Sequence, residues 1–194
     1  MIIDLVRHAS NGRDAYLDGR SDPVLLPADQ AAVAAAHAGI AWQRVICSPR
    51  LRALHTAMAL AATCDATITP DEEWGELDFG DWDGQRLEEL PEAALAAFHA
   101  DPRDQPPPNG ESWGHFERRI ARALDRLFDT DAPDGILVVT HGGPMRMVLS
   151  QVCGLPFSLC WALRIDHGTR VRLRVERDED GHSWGELLEL RQPG

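Results

Sequence analysis

Two histidines and two arginines carry the reactive possibilities of this chain, and each stands directly behind a short apolar run. Arg7-His8 follows Ile2-Ile3-Asp4-Leu5-Val6, Ser48-Pro49-Arg50-Leu51-Arg52 follows Arg44-Val45-Ile46-Cys47, and Thr140-His141-Gly142-Gly143 follows Ile136-Leu137-Val138-Val139. Arginine forks match phosphate oxygens two at a time and keep their charge. Imidazole is both a nucleophile and an acid–base group near neutrality. Gly142 and Gly143 let backbone approach a ligand closely, and the helix they open from Pro144 offers an N-terminus that favours an anion. The histidines have three open meanings: strand-capping hydrogen bonds, a metal site, or chemistry on a bound anion. A metal asks for a third ligand, and the neighbouring arginines repel a cation, so anion chemistry fits better. Spacing alone stops at an anion site with histidines.

Those residues need a scaffold that gathers them. The three apolar runs are β-branched without strict alternation, which suits strands inside a parallel sheet. Ligands of open α/β sheets bind beyond the carboxyl ends of the strands, where all three polar segments fall. Alanine-rich stretches from Ala28 to Ala38 and from Leu51 to Ala62 read as helices between strands, with Ser48 as N-cap and Pro49 at the first position of the second. A further helix is expected from Trp113 to Phe128. The fold class is therefore α/β: a three-layer α/β/α sandwich around a mostly parallel sheet. Residues 71–110 break the rhythm with Trp74, Phe79, Trp82, a helix from Glu88 to Ala100, and the proline-dense run Asp101 to Gly110, which can be neither helix nor central strand. They read as an insertion capping the active-site edge, within a single domain covering 1–194. Arg170 to Val175 alternates with period two, and a second strand around Trp184 to Leu190 completes a terminal hairpin.

The bulk numbers narrow the field. The chain has 194 residues, enough for one substantial core. A formal net charge of −12 argues against nucleic acid and anionic membranes as partners. It also requires that positive charge be concentrated in a pocket if an anionic substrate is to bind. No apolar run is long enough to span a membrane, and the N-terminus lacks the pattern of a signal peptide, so a cytoplasmic protein is expected. Cys47, Cys64, Cys153 and Cys160 form no Cys-x-x-Cys pair and read as buried small hydrophobes.

Beyond these deductions, Leu5-Val6-Arg7-His8 resembles the signature of the histidine phosphatase (phosphoglycerate mutase-like) superfamily. Four more segments are similar to the family's motifs and stand in its order: Ser48-Pro49-Arg50-Leu51-Arg52-Ala53 with Thr56-Ala57, Glu76 to Gly84, Gly110-Glu111-Ser112 with Arg119, and Val139-Thr140-His141-Gly142-Gly143. The resemblance implies a phosphoryl transfer through His8, with Glu76 as proton donor and then base, and with Arg7, Arg52 and His141 on the phosphoryl oxygens. It implies Asn11, Arg20 and Gly142 as further substrate contacts, no metal and no other cofactor. Ala9 stands where the family usually has glycine. Asp14 stands where an asparagine is usual, and a carboxylate there would repel phosphate if it pointed inward. Asp83 replaces a glutamate and reads as structural; Ser112 reads as an N-cap. His37, His55, His99, His115, His167 and His182 lack motif support and read as ordinary.

The chain is most similar to the α-ribazole phosphatase branch of cobalamin biosynthesis, which implies release of a nucleoside from α-ribazole 5′-phosphate. Trp74, Trp82 and Trp113 sit where they could line a pocket for an aromatic base, with core packing as the plainer account. The alternatives are a broad-specificity small-molecule or phosphoprotein phosphatase, a phosphoglycerate mutase, and a non-catalytic binding protein. The partner expected is a small phosphorylated substrate. The sequence leaves both a monomer and a dimer joined through the terminal hairpin open.

Overall fold

The computed structural model describes residues 1–23, 27–128 and 135–193. The elements run β1 (Ile2–Arg7), α1 (Pro27–Ala36), β2 (Arg44–Cys47), α2 (Leu51–Ala61), β3 (Thr67–Pro70), α3 (Glu92–Ala100), α4 (Trp113–Phe128), β4 (Ile136–Thr140), α5 (Gly142–Cys153), α6 (Phe157–Cys160), β5 (Arg170–Arg177) and β6 (Ser183–Arg191). The sheet order is β3-β2-β4-β1-β5-β6, parallel from β3 to β1 and antiparallel from β1 to β6. The expected sandwich is what forms.

Period-two alternation divides the core between the two faces of the sheet. Ile3, Leu5, Ile46, Ile136 and Val138 pack with α4 and α5, while Val6, Val45, Cys47, Leu137 and Val139 pack with α2 and Val33 of α1. β4 is buried throughout, as a strand covered on both faces must be. The thiols are free; Cys47 and Cys160 are buried and Cys64 and Cys153 half-buried. No helix among the described residues is long and apolar enough to cross a membrane.

Two helix starts differ from expectation. Ser48 does not cap α2: its hydroxyl accepts the Arg50 N–H at 3.3 Å, and Arg50 is extended. The cap comes from a distant segment, through the Leu51 N–H to the Asp22 carboxylate at 2.7 Å. α3 begins at Glu92, not Glu88. Proline at 91 pushes the preceding Leu90 into an extended conformation, so residues 87–89 close only a separate 3-10 turn. The strand β3, with an exposed burial pattern, and the one-turn α6 add to the elements read from the sequence. The expected terminal hairpin forms, but β5 is an inner strand paired to β1 and only β6 is an edge.

The insertion is ordered by its own backbone. Asp81 donates to Pro108 O at 2.9 Å and Glu111 to Asp78 O at 2.9 Å. Gly80 is at φ +53°, and a side chain there would run into the backbone of residues 108–110. Leu77, Trp82, Leu90 and Phe98 join the core cluster that holds the buried face of α4.

Candidate active site

Sheet register aligns the three polar segments. Arg7 pairs with Thr140 and Cys47 with Val139, so β1, β2 and β4 end at one level. The His8 N–H then donates to Thr140 O at 2.9 Å and the Ser48 N–H to Val139 O at 3.0 Å. Arg7, His8, Arg52, Glu76, Gly142 and Asn11 line one cavity of about 210 Å³.

His8 is 5% exposed, and its Nδ1 lies 2.8 Å from Ala9 O. A carbonyl only accepts, so Nδ1 carries the proton and Nε2 keeps its lone pair. The Thr56 hydroxyl accepts the Ala9 N–H at 2.9 Å and fixes that carbonyl. Burial, then Arg7 and Arg52, push the His8 imidazole well below its ordinary range. It is neutral at physiological pH, as a nucleophile must be.

His141 has the opposite tautomer. Its Nδ1 accepts from Arg52 Nε at 3.3 Å, so Nε2 carries the proton. Among the described residues that Nε2 is buried without a hydrogen-bond partner, as is Arg7 Nε. Buried donors are normally paired, so two bare ones beside a single nucleophile mark where an anion belongs. The His8 and His141 rings are 5.0 Å apart. Burial, followed by the Arg52 charge, holds His141 well below its ordinary range too.

Arg52 departs from expectation. Its Nη1 donates to Ser21 O at 2.6 Å and Nη2 to Asp18 O at 2.6 Å and Gly19 O at 3.1 Å, while Nε serves His141. Every guanidinium nitrogen is engaged, so Arg52 contributes charge and orientation. Asp83 holds the other side of that loop, accepting from the backbone N–H of Gly19, Arg20 and Ser21 at 2.7–2.8 Å. Burial alone would raise its carboxyl; these bonds and the Ser21 hydroxyl bring it below the usual range. Asp83 is structural, as read from the sequence.

Glu76 faces the cavity from the insertion. Its Oε1 accepts the Leu77 N–H at 2.9 Å and its Oε2 the Gly143 N–H at 3.2 Å. A side chain at position 143 would collide with this carboxylate, which explains the second glycine. Arg119 braces the segment from behind, donating to Glu73 O, Gly75 O and Glu76 O at 2.7–2.9 Å while gripping Glu111. Ser112 caps α4 through the His115 N–H at 3.4 Å.

Two expected contacts fall elsewhere. Arg20 lies outside the cavity, its side chain 71% exposed and paired with Asp78 at 2.8 Å. Asn11 lines the cavity but donates its amide to Asp18 at 3.2 Å.

Two residues were missed. His167, read as ordinary, packs its ring 4.9 Å from His8 and lines the cavity. Arg146 also lines it, held by Gly142 O, Cys160 O and Leu163 O at 3.1 Å. Arg146 stands one helical turn beyond Gly142, a spacing that could have revealed it. Part of the remaining wall is aromatic. Phe98, Trp113, Phe157 and Trp161 line it, and the Trp113 and Phe157 rings meet at 4.4 Å. Trp74 and Trp82 are core residues instead.

The profile of the histidine phosphatase superfamily (branch 1) matches residues 3–184. The chain belongs to the histidine phosphatase superfamily. It is 29% identical over 133 residues to the adenosylcobalamin/alpha-ribazole phosphatase of Escherichia coli K12, a stretch covering 67% of this chain and 66% of that protein. The match thus spans just under two thirds of that relative's length. The crystal structure of the alpha-ribazole phosphatase from Shigella flexneri superposes with a TM-score of 0.79 at 25% identity, covering 97% of this chain and 96% of that one. A mycobacterial glucosyl-3-phosphoglycerate phosphatase shares the fold, with a TM-score of 0.82 at 20% identity over 97% of both chains. In this histidine phosphatase three of the five motif segments follow β1, β2 and β4, and the other two lie between β3 and α4.

Proposed function

We propose that the chain is a phosphomonoesterase that works through a phosphohistidine on His8 Nε2, with α-ribazole 5′-phosphate as its substrate. The observation that carries the reaction is the pair of bare buried donors, Arg7 Nε and His141 Nε2, beside a histidine whose Nε2 lone pair is fixed by its own backbone. In the first step His8 Nε2 attacks phosphorus, the bond to the ester oxygen breaks, and Glu76 gives that oxygen a proton. In the second, Glu76 takes a proton from water, whose oxygen attacks phosphorus as the P–N bond breaks and inorganic phosphate leaves. Arg7 and His141 donate to the phosphoryl oxygens as charge develops on them. Arg52 sets the His141 tautomer and adds positive charge. Gly142 keeps the helix start clear, since a Cβ there would lie 3.0 Å from Arg146 Nη1. Asn11, held by Asp18, and Arg20, outside the cavity, have no phosphoryl contact in this reading.

The substrate is argued from the leaving-group side. Phe98, Trp113, Phe157 and Trp161 offer flat apolar surface, and Trp161 Nε1 is a buried donor without a partner. An aromatic heterocycle with a hydrogen-bond acceptor fits both features. The names carried by the relatives point the same way. The test is kcat/KM across α-ribazole 5′-phosphate, 3-phosphoglycerate and a phosphoserine peptide. A preference of about tenfold or more for the first is expected, as pocket contacts of this kind supply. Equal turnover of all three would remove the substrate assignment while leaving the phosphatase reaction.

A further inference from the structure

His167 takes no part in the motifs, yet its ring packs against that of the nucleophile. Its Nδ1 lies 3.0 Å from Asp14 Oδ1. A carboxylate accepts, so Nδ1 carries the proton and Nε2 is left with a lone pair. The loop holding this ring is pinned on several sides. Gly168 N–H donates to Arg7 O at 3.0 Å, Arg7 N–H donates to Thr169 O at 3.1 Å, and the His37 ring donates from Nε2 to Gly168 O at 2.9 Å. Gly168 is at φ +79°, and a side chain there would press into Val33. The imidazole, its side chain 14% exposed, is therefore held at the cavity wall beside His8.

A neutral His167 is mismatched to an arriving anion, because a lone pair repels a phosphoryl oxygen. The groups that face it are Arg7 at the end of β1, His8 just after it, Asp14 from the following loop, Asp166 from its own loop and Arg52 from α2. Glu76 and Arg146 line the same cavity. With no anion present, burial and then the Arg7 charge outweigh Asp14 and Asp166 and bring His167 down to about 4. A bound dianion reverses the local field, because it places two negative charges among those arginines.

We propose that His167 is a conditional phosphate ligand: neutral in the empty site, it takes a proton from solvent as the phosphoryl group arrives and donates it from Nε2 to one of its oxygens. Asp14 supports the imidazolium at Nδ1, which gives a role to the carboxylate that would otherwise oppose the substrate. One proton enters with the anion and leaves with it, and no covalent bond changes. By linkage, anion affinity then rises as pH falls, approaching about tenfold per pH unit between the free and bound midpoints. The proposal rests on the phosphate reading of the cavity.

The test is histidine ring NMR on the whole protein from about pH 4 to 8, with and without saturating sulfate, which stays dianionic over that range. The His167 Cε1–H signal is assigned by its loss in His167→Asn, or in His167→Gln or by through-bond correlation in the wild type should the first variant not fold. Its midpoint is expected to start near 4 and to rise by one unit or more with sulfate. Sulfate that moves the His8 and His141 signals but leaves the His167 midpoint in place overturns the proposal and spares the phosphate reading. Sulfate that moves none of the three overturns both. In Asp14→Asn the rise should shrink; an undiminished rise would remove Asp14 from the mechanism.

Discussion

The strand β1 carries two clusters of buried charge three residues apart, and they are built in opposite ways. At Asp4 the carboxylate is saturated. Oδ1 accepts from Arg170 at 3.1 Å and Arg172 at 2.9 Å, and Oδ2 from Arg172 at 2.8 Å and the Trp42 indole at 2.8 Å. At the strand end, Arg7, Arg52 and the two histidines face Glu76, whose oxygens are engaged by backbone N–H groups, with Asp14 at the cavity wall and Asp22 3.4 Å from Arg52. Among the described residues Arg7 Nε and His141 Nε2 have no acceptor there, and at the Asp4 cluster Arg170 Nε has none. A carboxylate whose oxygens are filled by arginines ties strands together, whereas cations without such a carboxylate are left to bind an anion. Both set buried arginines beside a carboxylate, and the strand-end cluster adds two histidines. What separates structure from function is whether a carboxylate of the fold fills its oxygens with the buried cations, as Asp4 does with Arg170 and Arg172.

The comparison can be broken by substitutions at either end. Asp4→Ala leaves Arg170, 4% exposed, with Glu189 alone and strips Arg172 of Asp4, and should destabilise the fold by about 3 kcal/mol. A denaturant midpoint measures that loss, while kcat/KM of the folded fraction should stay within about threefold of wild type, since additivity holds for separate sites. Arg7→Ala should do the reverse, lowering kcat/KM about 10²–10³-fold, as loss of one transition-state donor does, with a much smaller change in stability. If the two variants gave the same pattern, the distinction would fail. Gly143→Ala tests placement alone. The added methyl displaces the Glu76 carboxylate, and kcat should fall by up to about 10²-fold while sulfate still binds. Retained kcat would show that Glu76 need not sit where it does.

The smallest effect is a pH slope. His8, His141 and His37 are all held below their ordinary range in the fold, chiefly by burial. An unfolded histidine binds a proton near pH 6.5, so below that value the unfolded state takes up more protons. Stability is therefore complete above about pH 6.5 and is lost as pH falls below it, by at most about 1.4 kcal/mol per unit for each histidine. Thermal melts from pH 7 to 5 should show the slope, and His141→Asn should flatten it. Asp4 raises and Arg170 lowers the His37 imidazole, so Asp4→Ala should push His37 further down and extend the loss of stability to lower pH.

How far the sequence carried follows the same division. Arg7, His8, Arg52 and His141 were legible because each sits directly behind a buried strand, and parallel pairing brings such residues together without further information. Glu76 needed the motif resemblance, because its position depends on an insertion whose course is set by Arg119 and Pro108 contacts. His167 was out of reach of local pattern. It becomes an active-site residue only because β5 lies antiparallel beside β1, which puts the start of one strand against the end of the other. The cap of α2 by Asp22 and the engagement of Arg52 by carbonyls of residues 18–21 were hidden for the same reason: the partners lie about 30 residues away and meet only in the fold. The aromatic wall needed α6, a single turn with too little periodicity to announce itself.

The central claim is that His8 Nε2 accepts a phosphoryl group. The most direct measurement is rapid quenching of the enzyme with a ³²P-labelled phosphate ester, followed by tests of the bound label in acid and base. The account predicts an acid-labile, base-stable phosphoenzyme in the wild type, located by mass spectrometry on the N-terminal peptide at His8 and absent from His8→Ala. Label that persists in His8→Ala, or that maps to His141 or His167, would contradict it.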